Sequence, residues 1–210
     1  YSVASAGDVN GDGYVDVIVG AYGNDDAGSL AGEAYVYYGT ASGLSATPDW
    51  SDQGEAASDF FGFSVASAGD VNGDGYADVI VCAMYHDGPG NNAGEAYVYH
   101  GSASGLSASP DWSDQGETVA SYFGYSVAGA GDVDGDGYAD VIIGAHGYSS
   151  STGRAYIYHS SGYVERGVFE SRTFNLADGA YDGVDWISLA WTPTKPQPAG
   201  TTVKAQVGTS

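Results

Sequence analysis

A repeat of 62 residues limits what this chain can fold into. AGDVNGDGYVDVIVGA (6–21) recurs as AGDVNGDGYADVIVCA (68–83) and again as AGDVDGDGYADVIIGA (130–145), so that Asp8, Asp70 and Asp132 stand one period apart. GEAYVYYG (32–39) returns as GEAYVYHG (94–101) and GRAYIYHS (153–160); PDWSDQGE occurs at 48–55 and 110–117; FFGFSVA (60–66) matches YFGYSVA (122–128). Self-similarity at such a period signals stacked supersecondary units that bury their faces against one another.

Each unit reads as β. SVASAGDV is a short strand ending in an acidic loop. DVIVGA is a continuous apolar, β-branched run and predicts a buried strand. EAYVYYG alternates, with Tyr35 and Tyr37 on one face and Ala34, Val36 and Tyr38 on the other. TPDWSDQGE is polar and suits an outer edge. Gly, Asn and Asp clusters mark the joins, and no segment offers an amphipathic helix. The pattern predicts an all-β fold of three four-stranded propeller-type blades over 1–165, divided as 1–59, 60–121 and 122–165. The third unit has no PDWSDQGE and is expected to lack its outer strand. Residues 166–210 follow another pattern: GVFESRTFNL, VDWISLAWT and TTVKAQVGT read as strands of a partial β-sandwich-like segment.

The net charge is −22, and it is unevenly spread. All five Lys and Arg residues lie after residue 153, whereas residues 1–153 hold 22 of the 27 acids. Such a segment repels itself unless something cationic neutralises it. Nucleic acid and anionic membrane surfaces are poor partners for it, and no apolar run approaches the ~20 residues that span a bilayer. Cys82 is the single cysteine, so no intrachain disulfide forms. No signal peptide is legible and the first unit begins mid-repeat, so the chain reads as processed or as a fragment.

The strongest chemical signal is D-x-[DN]-x-D-G-x-x-D, present three times. Its positions 1, 3, 5 and 9 are Asp8, Asn10, Asp12 and Asp16, then Asp70, Asn72, Asp74 and Asp78, then Asp132, Asp134, Asp136 and Asp140. Oxygens at alternating positions can wrap one hard cation, and the carbonyl at position 7 (Tyr14, Tyr76, Tyr138) can add another ligand. An all-oxygen set favours Ca²⁺ over Zn²⁺ or Cu²⁺, and about three ions are expected, one per loop. An EF-hand would place Glu at position 12 and continue as a helix; here that position is Val19, Val81 or Ile143, inside a strand.

With these motifs in place, residues 1–165 resemble FG-GAP repeats, the blades of integrin α-subunit β-propellers and of secreted bacterial and archaeal proteins. Phe61-Gly62 and Phe123-Gly124 are the FG elements; Gly20-Ala21 and Gly144-Ala145 are the GA elements. The Pro of "GAP" is replaced by Tyr22, Met84 and His146, and Cys82 replaces Gly in the second unit. The resemblance implies a Ca²⁺ loop between the first two strands of each blade. Residues 166–210 resemble the opening strands of extracellular β-sandwich modules.

Tyr35, Tyr37, Tyr97, Tyr99, Tyr156, Tyr158, Trp50 and Trp112 either stack on sugars or pack between blades, and their recurrence at equivalent positions favours packing. Trp186 and Trp191 suit a sandwich core or contact surface. No His among His86, His100, His146 and His159 pairs with a nucleophile at an informative spacing, and there is no G-x-S-x-G elbow. The expectation is a non-enzymatic, extracellular Ca²⁺-binding module with a structural or adhesive role. It is expected to self-associate head-to-tail into a filament or other oligomer. The alternatives are a module that binds an extracellular glycan or protein, or a non-catalytic fragment of a larger secreted enzyme.

Overall fold

The computed structural model describes residues 2–160 and the strand at 164–170. Among the described residues, twelve strands form three antiparallel sheets, each a meander of strands adjacent in sequence. The first holds β1 (Ser2–Gly7), β2 (Asp16–Ala21), β3 (Glu33–Tyr37) and β4 (Trp50–Gln53). The second holds β5 (Phe61–Gly69), β6 (Asp78–Ala83), β7 (Glu95–Tyr99) and β8 (Trp112–Gln115). The third holds β9 (Phe123–Gly131), β10 (Asp140–Ala145), β11 (Arg154–Ser160) and β12 (Val164–Glu170). The register repeats with the sequence: Val19 faces Tyr35, Val81 faces Tyr97 and Ile143 faces Tyr156.

The third sheet therefore has an outer strand, contrary to the expectation from the missing PDWSDQGE. Val164–Glu170 pairs along the whole of β11, from Ser160↔Val164 to Arg154↔Glu170. Edge pairing is made by backbone N–H and C=O groups, so a segment of different sequence can complete it. The boundary expected at 165/166 falls inside this strand. Beyond Glu170, the sandwich-like segment expected over 166–210, with Trp186 and Trp191, lies outside the described residues.

Two cores lie between the three sheets. One joins Ala6, Ile18, Val36 and Trp50 to Phe61, Val65, Val79, Val81, Tyr97 and Tyr99; the other joins Ala68, Ile80, Cys82 and Val98 to Phe123, Val127, Val141, Ile143, Tyr156 and Tyr158. Successive β6 residues thus point to opposite neighbours, which is why the strand is apolar without a break from Val79 to Ala83. The recurrent aromatics pack between sheets. Trp50 meets Tyr99 edge-on at 4.8 Å, Trp112 meets Tyr158 at 4.8 Å, and Phe123 meets Tyr156 at 5.1 Å.

The two FG elements supply the joints. Phe61 and Phe123 are buried in the two cores. Gly62 and Gly124 hold φ of +77° and +85°, and a Cβ at Gly62 would meet the Glu33 carbonyl. Cys82, where the second unit lacks the Gly, is fully buried, and a Cβ at Gly124 would meet its side chain. Where the Pro of "GAP" is missing, Tyr22 stacks on Phe60 (5.4 Å) and His146 on Tyr122 (4.9 Å). With Tyr85 they form one aromatic row across the three sheets.

Candidate metal centres at the strand-connecting loops

The three acidic loops connect the first and second strands of each sheet and share one internal hydrogen-bond pattern. Asp8 Oδ1 accepts the amides of Gly11 (2.7 Å) and Asp12 (3.1 Å), and its Oδ2 accepts that of Gly13 (2.8 Å). Asp70 and Asp132 do the same with Gly73, Asp74 and Gly75, and with Gly135, Asp136 and Gly137. Position 3 accepts the amide of position 5, at 3.0 Å for Asn10 and Asn72 and 3.1 Å for Asp134. Position 5 accepts the amide of position 7, so Tyr14, Tyr76 and Tyr138 are anchored to Asp12, Asp74 and Asp136. Short Asp and Asn side chains that bond their own following backbone make such turns local products of sequence.

Position 9 differs from the rest. Asp16, Asp78 and Asp140 begin β2, β6 and β10 and are fully buried. Each closes the loop onto its own sheet. Asp16 accepts amides from Val9 (2.8 Å) and Gly39 (2.7 Å), Asp78 from Val71 (2.7 Å) and Gly101 (2.8 Å), and Asp140 from Val133 (2.7 Å) and Ser160 (3.0 Å). Burial pushes the Asp16 carboxyl up, against those hydrogen bonds, and the Asp12 and Asp8 charges push the same way. Burial pushes Asp78 up to about 6, opposed by the amides of Gly101 and Val71 and by His100. A bound cation would reverse that burden by favouring the ionised form.

The loops also differ from one another. In the first two, the position-3 amide donates to the position-5 carboxylate: Asn10 to Asp12 (3.3 Å) and Asn72 to Asp74 (2.9 Å). In the third loop position 3 is a carboxylate, and oxygens of Asp132, Asp134 and Asp136 lie within 4.8 Å of one another. A second group there brings Asp134 and Asp140 together with His159. His159 stands at the end of β11, equivalent to Tyr38 and His100. The loop motif D-x-[DN]-x-D-G-x-x-D ends 19 residues before His159 and so does not include it.

The sequence of these units matches the model named FG-GAP repeat at residues 1–37, 61–99 and 123–158, a little over half of the chain. The chain belongs to the FG-GAP repeat family. Its three sheets are FG-GAP blades, with Phe61-Gly62 and Phe123-Gly124 at the blade joints. Similar proteins include integrin alpha-6 of Gallus gallus, 38% identical over 157 residues covering 74% of this chain and 14% of that protein. Integrin alpha-7 of Mus musculus is 33% identical over 195 residues, 88% of this chain and 16% of that protein. Integrin alpha-V of Gallus gallus is 36% identical over 160 residues, 72% of this chain and 15% of that protein. This FG-GAP chain thus spans about a seventh of the curated relatives it matches.

One further polar cluster lies apart from the loops. His86 in the second FG-GAP blade has Nδ1 3.4 Å from Asp59 and Nε2 3.1 Å from Glu95, and Gln115 donates to Glu95 at 2.9 Å. It ties the chain before β5 to β7 and β8.

Proposed function

We propose that this chain is an extracellular FG-GAP module that binds Ca²⁺ at its three loops and serves a structural or adhesive role without catalysis. The ligands would be Asp8, Asn10, Asp12, the Tyr14 carbonyl and Asp16, with Asp70, Asn72, Asp74, Tyr76 and Asp78, and Asp132, Asp134, Asp136, Tyr138 and Asp140, in the other two. The observation that carries this reading is the buried position-9 carboxylate, raised by burial at Asp16 and Asp78 and repeated in every loop. No Lys or Arg precedes residue 154 to neutralise it. The set is all oxygen, which suits a hard cation. Loops of extracellular modules take Ca²⁺ at about 10⁻⁴–10⁻³ M, well above cytosolic supply. Kinship with integrin alpha chains supports an adhesive rather than a catalytic role, outside the cell.

Self-association forms part of the same reading. Val3, Val15 and Tyr14 are 71%, 62% and 44% exposed on the first blade, and Val133 is 48% exposed on the third. Inside the stack the matching residues Val9, Val71, Tyr76 and Tyr138 are covered or packed across a blade joint. The two outer faces are therefore complementary halves of one blade–blade joint, which head-to-tail copies would complete. Interblade burial of Trp50, Tyr97, Tyr99, Tyr156 and Tyr158 removes them as sugar-stacking platforms, which weighs against the glycan-binding alternative.

Isothermal titration of the metal-stripped chain tests the first part. Ca²⁺ should bind near three equivalents, and Mg²⁺ should not replace it. A flat Ca²⁺ isotherm overturns the reading. Light scattering and electron microscopy in millimolar Ca²⁺ test the second, and a uniform 21.4 kDa monomer at high concentration overturns it.

A further inference from the structure

We infer that the third loop is a mixed nitrogen–oxygen site for a borderline transition ion of the Zn²⁺ type, with His159 Nδ1 as a ligand beside Asp134 and Asp140. This deepens the proposal that the loops bind cations and rests on it. His159 Nδ1 lies 3.5 Å from Asp134 Oδ2 and 3.5 Å from Asp140 Oδ2. The imidazole is about nine-tenths buried, and the three ligand atoms fall within 4.8 Å of one another. Two donors 3.5 Å apart, each about 2.1 Å from one ion, subtend an angle of about 113°, close to tetrahedral.

The internal repeat supplies the controls. The residue equivalent to His159 is Tyr38 in the first blade and His100 in the second. The His100 amide donates to Asp111 Oδ2 at 2.8 Å, and its Nδ1 lies 3.7 Å from the same oxygen. Asp111 belongs to PDWSDQGE, which the third unit does not repeat, and there the imidazole turns to the loop instead. Position 3 changes in the same unit, from Asn10 and Asn72 to Asp134. A carboxylate at position 3 and an imidazole turned towards it thus meet in one loop.

Their chemistry shifts the preferred ion. Ca²⁺ seeks six to eight oxygens, whereas imidazole suits Zn²⁺, Cu²⁺ and Ni²⁺. One imidazole with two carboxylates makes a three-ligand set that leaves a position for water. Asp140 remains available although both its oxygens accept amides from Val133 and Ser160, because each carboxylate oxygen has a second lone pair. Those two bonds fix its orientation, as outer contacts fix ligands in metal sites.

The test uses the full, metal-stripped chain, with Ca²⁺, Zn²⁺ and Co²⁺ as the probes. Wild type should bind Zn²⁺ at one site more tightly than Ca²⁺, and Co²⁺ there should give ligand-field bands of a nitrogen-containing site. His159→Gln should weaken Zn²⁺ at that site by more than the roughly 10–100-fold lost when an outer contact is removed. Asp134→Asn restores the residue type of the first two loops at an exposed position, so it should fold, and it should also weaken Zn²⁺. His100→Gln is the control and should leave Zn²⁺ binding unchanged. Zn²⁺ and Co²⁺ binding unchanged in both His159→Gln and Asp134→Asn overturns the inference, even if Ca²⁺ fills all three loops. His159-dependent Co²⁺ bands in a chain that binds no Ca²⁺ would uphold this site and overturn the Ca²⁺ reading.

Discussion

The second and third blades carry loops that differ at one residue within DVxGDGYAD, Asn72 against Asp134, yet their surroundings are unlike. The internal hydrogen bonds agree closely: Asp70 and Asp132 each accept a Gly amide at 2.7 Å and an Asp amide at 3.1 Å. Burial does not agree. Val71 is 5% exposed and Val133 is 48% exposed. The second loop is roofed by the third: the Ala139 amide donates to the Asp70 carbonyl, and the Tyr138 ring leaves no room for a Cβ at Gly73. The second roofs the first in the same way, through Ala77 and Tyr76. Loop conformation is thus set locally, while dryness is set by the next blade.

The comparison makes its largest prediction about metal removal. At Ca²⁺ about ten-fold above Kd, each occupied site contributes about 1.4 kcal/mol, so three contribute about 4 kcal/mol. For a chain of this size that corresponds to a fall in Tm of roughly 10 °C on chelation. Ca²⁺ should restore it and Mg²⁺ should not, as read by differential scanning calorimetry. An unchanged melt after verified removal would break the link between ions and stack.

The position-9 carboxylates sharpen the comparison next. Asp78→Ala leaves the amides of Val71 and Gly101 buried without their acceptor, at about 1–3 kcal/mol each. Asp140→Ala should cost less, because Val133 stands open to water that can satisfy its amide. Urea melts of the two variants in chelator measure the difference. Equal losses would mean that the missing roof does not matter.

These contrasts show what the sequence could and could not reveal. The period-2 alternation of EAYVY and the apolar run DVIVCA identify strands, because each pattern follows from which faces are buried. The loop residues were legible because Asp and Asn side chains bond backbone only a few residues away. The outer strand Val164–Glu170 was not legible, because an edge is paired through backbone groups that any alternating segment offers. Nor was the turn of His159 towards Asp134 and Asp140. His100 and His159 end the same strand motif, and what separates them lies elsewhere in the chain: the absence of an Asp111 counterpart and the change from Asn72 to Asp134.

A smaller effect should be equal on both sides of the second blade. Tyr99 donates to Asp52 at 2.7 Å across the first joint, and Tyr158 donates to Asp114 at 2.6 Å across the second. Tyr99→Phe and Tyr158→Phe should each cost about 1 kcal/mol, reduced because both acceptors are half-exposed. A large difference between the two variants, measured by urea unfolding, would show that the joints are not equivalent.

The smallest effect on stability carries the most about assembly. Val133→Ser changes a residue that is half-exposed on the outer face of the third blade. In the isolated chain it should shift stability by no more than about 0.5 kcal/mol, as surface substitutions do. Val71→Ser, at the same place in a roofed loop, removes buried apolar area and should cost about 1–3 kcal/mol. If another copy covers the third loop as the third covers the second, Val133 becomes a Val71-like residue on association. The Val71→Ser penalty would then reappear in Val133→Ser as weaker self-association, by roughly 5- to 150-fold. Sedimentation equilibrium in Ca²⁺ reads that quantity separately from the melt. Unaltered association in Val133→Ser would mean that copies, if they meet, do not meet through the joint this fold repeats.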